Sequence, residues 1–297
     1  MPWLQINITT VPSRAESFED ILLAAGCAAV TYKDNQDQPI FEPELGTTPL
    51  WDSTVITGLF AAEQDLDKTL EFIKQAQEQL FPDVPLAPVQ AEILEDKDWE
   101  RTWMDGYKPM RFGERLWVCP SWMEPPEPTA ANLMLDPGLA FGTGTHPTTA
   151  LCLEWLDSQE LKDKNITDFG CGSGILGIAA LLLGAKHVLA IDIDPQALQA
   201  TLDNLERNKL ALSTLDAFLP EKAPSAQTEV LVANILAGPL IELAPQISER
   251  VSVGGKLCLS GLLEHQGNEI LETYSQWFQL DEPKINDGWI RVTGTKR

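Results

Sequence analysis

Residues 166–192 constrain this chain more than any other stretch. Ile166–Phe169 is a short apolar run closed by Gly170, which reads as a buried strand. After the cluster Asp168-Phe169-Gly170-Cys171-Gly172-Ser173-Gly174, residues Ile175, Leu176, Ile178, Ala179, Leu182 and Leu183 recur near helical spacing, and Gly184 supplies a C-terminal stop. His187–Ile191 is a second apolar strand, with Asp192 at its carboxyl end. Strand, glycine turn, helix, strand and acid together describe a nucleotide-binding βαβ unit, so this part of the chain is α/β.

Glycines let the backbone turn tightly and approach a ligand with no Cβ in the way. An acid at the end of the second strand accepts hydrogen bonds from both hydroxyls of a ribose. The spacing separates two kinds of enzyme. A dehydrogenase fingerprint is G-x-G-x-x-G, with a pyrophosphate on the helix N-terminus. Here the glycines are G-x-G-x-G, with Asp168 two residues before the first. That pattern resembles motif I of the class I S-adenosylmethionine-dependent methyltransferases, whose cofactor carries no phosphate. Another nucleotide-binding enzyme, or a purely structural glycine turn, are the alternatives.

A chain of 297 residues has room for two domains of roughly 100–200 residues. The N-terminus, Met1-Pro2-Trp3-Leu4-Gln5, lacks a basic region followed by an apolar core, so no signal peptide is expected. The longest apolar run, near 175–185, is far below the ~18–20 residues that cross a bilayer. Cys27, Cys119, Cys152, Cys171 and Cys258 are scattered and odd in number, which fits reduced thiols in a cytoplasm. The net charge of −23 argues against direct nucleic-acid binding, which needs clustered Lys and Arg. Such acidity either attracts a basic protein or only keeps the chain in solution.

The segments before residue 95 read as strand Trp3–Thr10, a helix capped by Ser13, strand Ala28–Tyr32, strand Thr54–Phe60, an amphipathic helix carrying Leu66, Leu70, Ile73, Ala76 and Leu80, and strand Val89–Leu94. The order β-α-β-β-α-β is the ferredoxin-like plan. Residues 96–128 read as a connector, with a short helix over 98–105 bearing Trp99 and Trp103, and a strand at Leu116–Val118. Its aromatic residues either line a cleft between domains or pack onto the larger one. From 129 to 297 the chain reads as a catalytic domain.

That domain opens with a second glycine-rich loop, Asp136-Pro137-Gly138 through Phe141, Gly142, Thr143, Gly144, Thr145 and His146 to Thr148-Thr149, ahead of a helix at 150–156. It lacks the G-K-[ST] ending of a P-loop. Its N–H groups and hydroxyls suit a polar ligand such as a carboxylate, and a plain helix cap is the alternative. His146 has no His, Cys or acid at ligand spacing, so no metal is expected. Beyond the βαβ unit, Asp194 caps and Pro195 opens a helix. Leu210–Leu215 reads as a strand, as does Glu229–Ile235, at whose carboxyl end Asn234 is placed for chemistry. Gly254-Gly255 reads as a turn into strand Lys256–Ser260; helix Asn268–Phe278, a strand near 278–280 and Trp289–Thr295 follow. The ending across Asp287-Gly288 reads as an antiparallel hairpin closing the sheet.

Segments 133–149, 166–194 and 229–240 together resemble the bacterial ribosomal protein L-eleven methyltransferases, over essentially the whole chain. The resemblance implies a seven-stranded, Rossmann-like methyltransferase domain behind a ferredoxin-like substrate-recognition domain. It implies S-adenosylmethionine as cofactor, and lysine and N-terminal amines of a basic large-subunit ribosomal protein as substrate. Matching positions put cofactor contacts at Thr149, Gly170, Asp192 and Asn234. Gly172, Gly174 and Asp168 from motif I, and Phe141, Gly142 and Thr143 from the second loop, join the expected donor site. Asn234 is the expected catalytic residue. No membrane and no direct nucleic-acid contact are expected, and a monomer is the working assignment.

Overall fold

The structure, a computed structural model, describes residues 3–36, 38, 40, 47–94, 107–136 and 144–297. The expected helix at 98–105 and the loop residues Phe141, Gly142 and Thr143 lie outside the described residues. The chain divides into two compact units, Met1–Met104 and Asp105–Arg297.

The first unit contains β1 (Trp3–Thr10), α1 (Pro12–Ala24), β2 (Ala29–Asp34), β3 (Thr54–Ala61), α2 (Leu66–Leu80) and β4 (Val89–Leu94). Its sheet is antiparallel throughout, in the order β2-β3-β1-β4. This is the ferredoxin-like plan. Alternation along β1 explains the layering: Leu4, Ile6 and Ile8 point into one core with Phe18, Leu22 and Ile73 from the helices. The intervening residues are polar and bond across strands, with Thr57 Oγ1 donating to Asn7 Oδ1 at 2.7 Å and Asn7 Nδ2 to Glu92 Oε1 at 3.2 Å. Asp65 caps α2 by accepting from the Lys68 amide. Ser13 does not cap α1. The helix begins one residue earlier, at Pro12, whose fixed φ suits a first helical position that has no N–H to satisfy.

The main strands of the second unit are β8 (Asn165–Phe169), β9 (His187–Ile191), β10 (Leu215–Phe218), β11 (Thr228–Asn234), β12 (Val251–Leu263), β13 (Phe278–Leu280), β14 (Lys284–Asn286) and β15 (Trp289–Lys296). They form a sheet ordered β10-β9-β8-β11-β12-β15-β13, with β14 also on β15. The first five in spatial order are parallel, while β15 pairs antiparallel with β12, β13 and β14. Residues 188–191 of β9 and 230–233 of β11 read as unbroken apolar runs because both faces are covered. Ile166, Val188, Val230 and Val232 face one core with α3 (Pro147–Ser158), α4 (Ile175–Leu182) and α5 (Pro195–Arg207). Leu189, Leu231, Leu257 and Leu259 face the other, with α6 (Ala237–Glu242), α7 (Ala244–Glu249) and α8 (Gly267–Tyr274). Chain direction across the sheet reverses between β8 and β11, so a crevice opens there at the carboxyl ends.

Three expected boundaries shift: the helix expected at Asn268–Phe278 ends at Tyr274, since Phe278 already belongs to β13. The strand expected at 210–215 lies at Leu215–Phe218, because Leu212–Thr214 forms a 3-10 turn. The Gly254-Gly255 pair does not break a strand; β12 runs through it, beside a register irregularity against Thr228/Val230.

Residues 107–134, most of them read as connector, include a three-stranded sheet of β5 (Met110–Phe112), β6 (Leu116–Cys119) and β7 (Ala131–Met134). Phe112, Leu116 and Val118 share a core with Leu153 and Leu156 of α3. The buried Asp157 at the end of α3 fastens the β5–β6 turn, accepting from the Glu114 amide at 2.7 Å and the Arg115 amide at 3.0 Å. Gly113 belongs there because φ is +71° and a Cβ would sit 2.2 Å from Asp157 Oδ2. Helix α3 is also held along its length, by Arg291 Nη1 on the Leu151 carbonyl at 2.8 Å and by the Lys284–Glu154 ion pair at 2.6 Å. Asp157→Ala removes the acceptor of both turn amides and should cost the larger unit about 1–2 kcal/mol, read as a lowered urea midpoint. An unchanged midpoint would mean the turn holds without it.

Candidate active site

The crevice at the β8/β11 reversal is lined from the β9 side by the glycine loop. The Gly170 and Cys171 amides donate to the Ile191 carbonyl at 2.7 and 3.1 Å, and the Gly172 amide donates to Asp192 Oδ2 at 2.8 Å. Gly170 has φ +78°, and a Cβ there would stand 2.2 Å from Ile235 Cγ2, so the loop is glycine-bound by both conformation and space. Asp192 Oδ1 takes the Asp194 amide at 3.0 Å. Two amides thus fix the carboxylate at the strand end, and each oxygen keeps a lone pair for a ligand hydroxyl.

The loop is also held from behind, by two polar residues of α5 to which the sequence assigned no part in the site. Thr201 Oγ1 reaches the Gly172 carbonyl at 3.1 Å and Cys171 Sγ at 3.3 Å, and Asn204 Nδ2 donates to the Ser173 carbonyl at 2.8 Å. Their signal was polarity on a stripe that the leucines of α5 turn inward. Burial, reinforced by Asp168, pushes the Cys171 thiol far above its usual range, so it is a packing group and no nucleophile.

Asp168 lies beneath the loop and is 1% exposed. Its Oδ2 accepts the Gly177 amide at 2.8 Å, and its Oδ1 has no hydrogen-bond partner among the described residues. Burial pushes this carboxyl up to about 7; Asp192 adds repulsion and the Gly177 amide opposes both.

On the β11 side, Asn234 Nδ2 donates to Thr149 Oγ1 at 3.1 Å, which fixes the carboxamide. Asn234 Oδ1 is then a buried acceptor with no partner among the described residues. Thr149 is placed by the first turn of α3, where His146 is the cap. The Thr148 amide donates to His146 Nδ1 at 3.3 Å, and the Thr148 hydroxyl is 2.7 Å from the same atom. Burial keeps this imidazole below its ordinary pKa, so it is neutral near pH 7. A neutral ring that accepts at Nδ1 carries its proton on Nε2, which suits a cap and not a proton acceptor. The ring stands edge-on to Trp289, with centroids 4.6 Å apart, at the start of β15. That contact was not read from the sequence, since 143 residues separate the partners.

The described part of the site therefore brings together Asp168, Gly170, Gly172, Gly174, Asp192, Thr149 and Asn234. Two orphaned buried oxygens and a pre-set carboxylate fit a nucleoside ligand with cationic and hydroxyl groups. A family model described as ribosomal protein L11 methyltransferase (PrmA) matches residues 2–297. The chain belongs to this family. A ribosomal protein L11 methyltransferase from Pseudomonas fluorescens (strain Pf0-1) is 56% identical over the full length of both chains. One from Marinomonas sp. (strain MWYL1) is also 56% identical, over 100% of this chain and 99% of the relative. Among solved structures, a ribosomal protein L11 methylase from Lactobacillus delbrueckii subsp. bulgaricus is 32% identical with a TM-score of 0.57, covering 64% of this chain and all of that one. Members of this family are S-adenosylmethionine-dependent methyltransferases, and so is this chain.

Between pH 3.8, the ordinary value, and about 7, folded Asp168 holds a proton that the unfolded chain has lost. The stability this represents is fully present below the ordinary value and is lost as pH rises through about 7. Urea unfolding of the ligand-free protein should show a fall over that window that Asp168→Asn removes. Matching pH slopes in the two proteins would overturn the assignment.

Proposed function

We propose that this enzyme transfers methyl groups from S-adenosylmethionine to lysine side-chain and N-terminal amines of ribosomal protein L11, with Asn234 as the catalytic residue. Family membership supports the reaction and the substrate protein. The observation that carries the site reading is the Asn234 carboxamide, fixed by Thr149 with its buried Oδ1 unpartnered beside the crevice. The proposed donor contacts are Asp192 for the ribose hydroxyls, Gly170, Gly172 and Gly174 through the loop backbone, Asp168 beneath it, and Thr149 with Asn234 at the reacting end. Phe141, Gly142 and Thr143 are proposed contacts on sequence grounds alone.

The donor supplies an electrophilic methyl group. The chain's residues provide what the acceptor needs. A lysine amine has a reference pKa of ~10.4 and an α-amine ~7.7–8.0, so the nucleophile must arrive without its extra proton. Asn234 Oδ1 accepts an amine N–H and turns the lone pair toward the methyl. His146, whose Nδ1 is engaged as a helix cap, is not the base. Catalysis is then mainly orientation and exclusion of water, and kcat/KM should climb with pH from about 7 to 9.

A net charge of −23 supports a basic protein as partner and disfavours direct RNA contact. The ferredoxin-like unit is the proposed substrate holder, residues 96–128 the proposed link between it and the catalytic domain, and the enzyme a cytoplasmic monomer. No helix among the described residues is long and apolar enough to cross a membrane.

The deciding assay is transfer of labelled methyl from S-adenosylmethionine to ribosomes that lack the modification. Label should enter one small basic large-subunit protein in multiples of one methyl; label in RNA or metabolites would overturn the substrate assignment. Asn234→Ala should lower kcat about 10²-fold or more with donor Kd within a few-fold. Asp192→Ala should instead weaken donor binding about 10–100-fold through lost charge-assisted hydrogen bonds, measured by calorimetry. Near-normal turnover in the first variant, or an unchanged Kd in the second, removes that residue from its role.

A further inference from the structure

Strand register places Asp168 at the centre of the site. It pairs with Ala190 on β9 and with Val232 on β11. Asn234, the last residue of β11, and Asp192, just past the end of β9, each stand two residues beyond those partners, so the three polar residues lie at the carboxyl ends of three adjacent strands. Asp168 is the middle one and the deepest. In the reading given under Proposed function, the donor is held at Asp192 and reacts beside Asn234. A donor so held would span the carboxyl end of β8, the strand that carries Asp168.

An ionised carboxylate at this position is poorly compensated. It is 1% exposed, receives one amide hydrogen bond from Gly177, and has an unpartnered Oδ1 among the described residues. The titratable groups that face it are Asp192 from β9 and Cys171 from the loop. Helix α4 presents the Gly177 amide, β11 presents Val232, and α5 brings Thr201 to the loop. A cationic ligand supplies the charge that these neighbours do not.

We infer that Asp168 sets the preference of the site for charged donor over spent product: it is protonated in the ligand-free site and releases its proton when a sulfonium donor binds. The inference rests on the donor-site reading above. In the step, the carboxyl O–H bond breaks, its electron pair stays on the carboxylate, and the proton passes to solvent; nothing is oxidised or reduced. Methyl transfer leaves a neutral thioether. The carboxylate then loses its compensating charge, regains a proton, and the site loosens its hold on the product. Binding linked to release of one proton weakens by about tenfold for each pH unit below the group's ligand-free titration.

Isothermal titration calorimetry at about pH 6, in two buffers of different protonation enthalpy, tests this on the full-length protein with S-adenosylmethionine and S-adenosylhomocysteine. Donor binding should release close to one proton and product binding well under half, with donor affinity falling about tenfold from pH 6 to 5. Asp168→Asn should abolish the excess release and shrink the donor-to-product affinity ratio about tenfold or more. No release in wild type, or equal release in the variant, overturns the inference. Infrared difference spectra of the wild type give a second reading that does not depend on the folding of the variant. A protonated-carboxyl band should vanish on adding donor and persist with product; a band that is absent or unmoved also overturns it. Failure of the wild type to bind either ligand sinks the donor-site reading and this inference with it, whereas binding without donor-selective proton release sinks only the inference.

Discussion

The end of strand β9 holds the site together. The Ile191 carbonyl and the Asp192 carboxylate collect three consecutive loop amides, from Gly170, Cys171 and Gly172. A loop with glycine at every second position has little reason of its own to keep one shape, and its entropy must be offset by what it bonds to. Here those bonds come from a neighbouring parallel strand that is itself buried on both faces. The loop's geometry, and with it the first turn of α4 and the cover over Asp168, follows from strand pairing.

This also separates what was legible in the sequence from what was not. The βαβ unit could be read because every signal in it is local: an apolar run, glycines, helical spacing, a second run, an acid. The ferredoxin-like unit was readable for the same reason, down to the stripe of α2, of which Leu66, Leu70, Ile73 and Ala76 join the core and Leu80 is exposed. Boundaries failed where local chemistry was ambiguous. Ser13 is a good cap by type, but Pro12 starts the helix. Gly254-Gly255 is a good turn by type, but β12 continues past it, with residues 252–255 bulging out of the β11 register.

The site shows the same division. Asn234 and Asp192 were placed by the rule that ligands gather at carboxyl ends of strands, and the structure puts them on either side of the reversal. The bond between Asn234 and Thr149 spans 85 residues, and no spacing rule predicts it. Nor does any rule give the protonation of Asp168, which depends on how completely the loop, α4 and the sheet close around it. Thr201 and Asn204 look like ordinary helix residues until the loop carbonyls they serve are in view.

Helix α3 carries Thr149 and makes contacts from one end to the other with segments remote in sequence: His146 with Trp289, Leu151 with Arg291, Glu154 with Lys284, and Asp157 with the β5–β6 turn. Three of these four partners belong to the last two strands. The C-terminal hairpin is therefore a brace for the helix that carries Thr149 more than a finishing edge of the sheet. A chimera that borrows either the helix or the hairpin from a distant relative would inherit half of a mated pair, and the two have to be exchanged as one block.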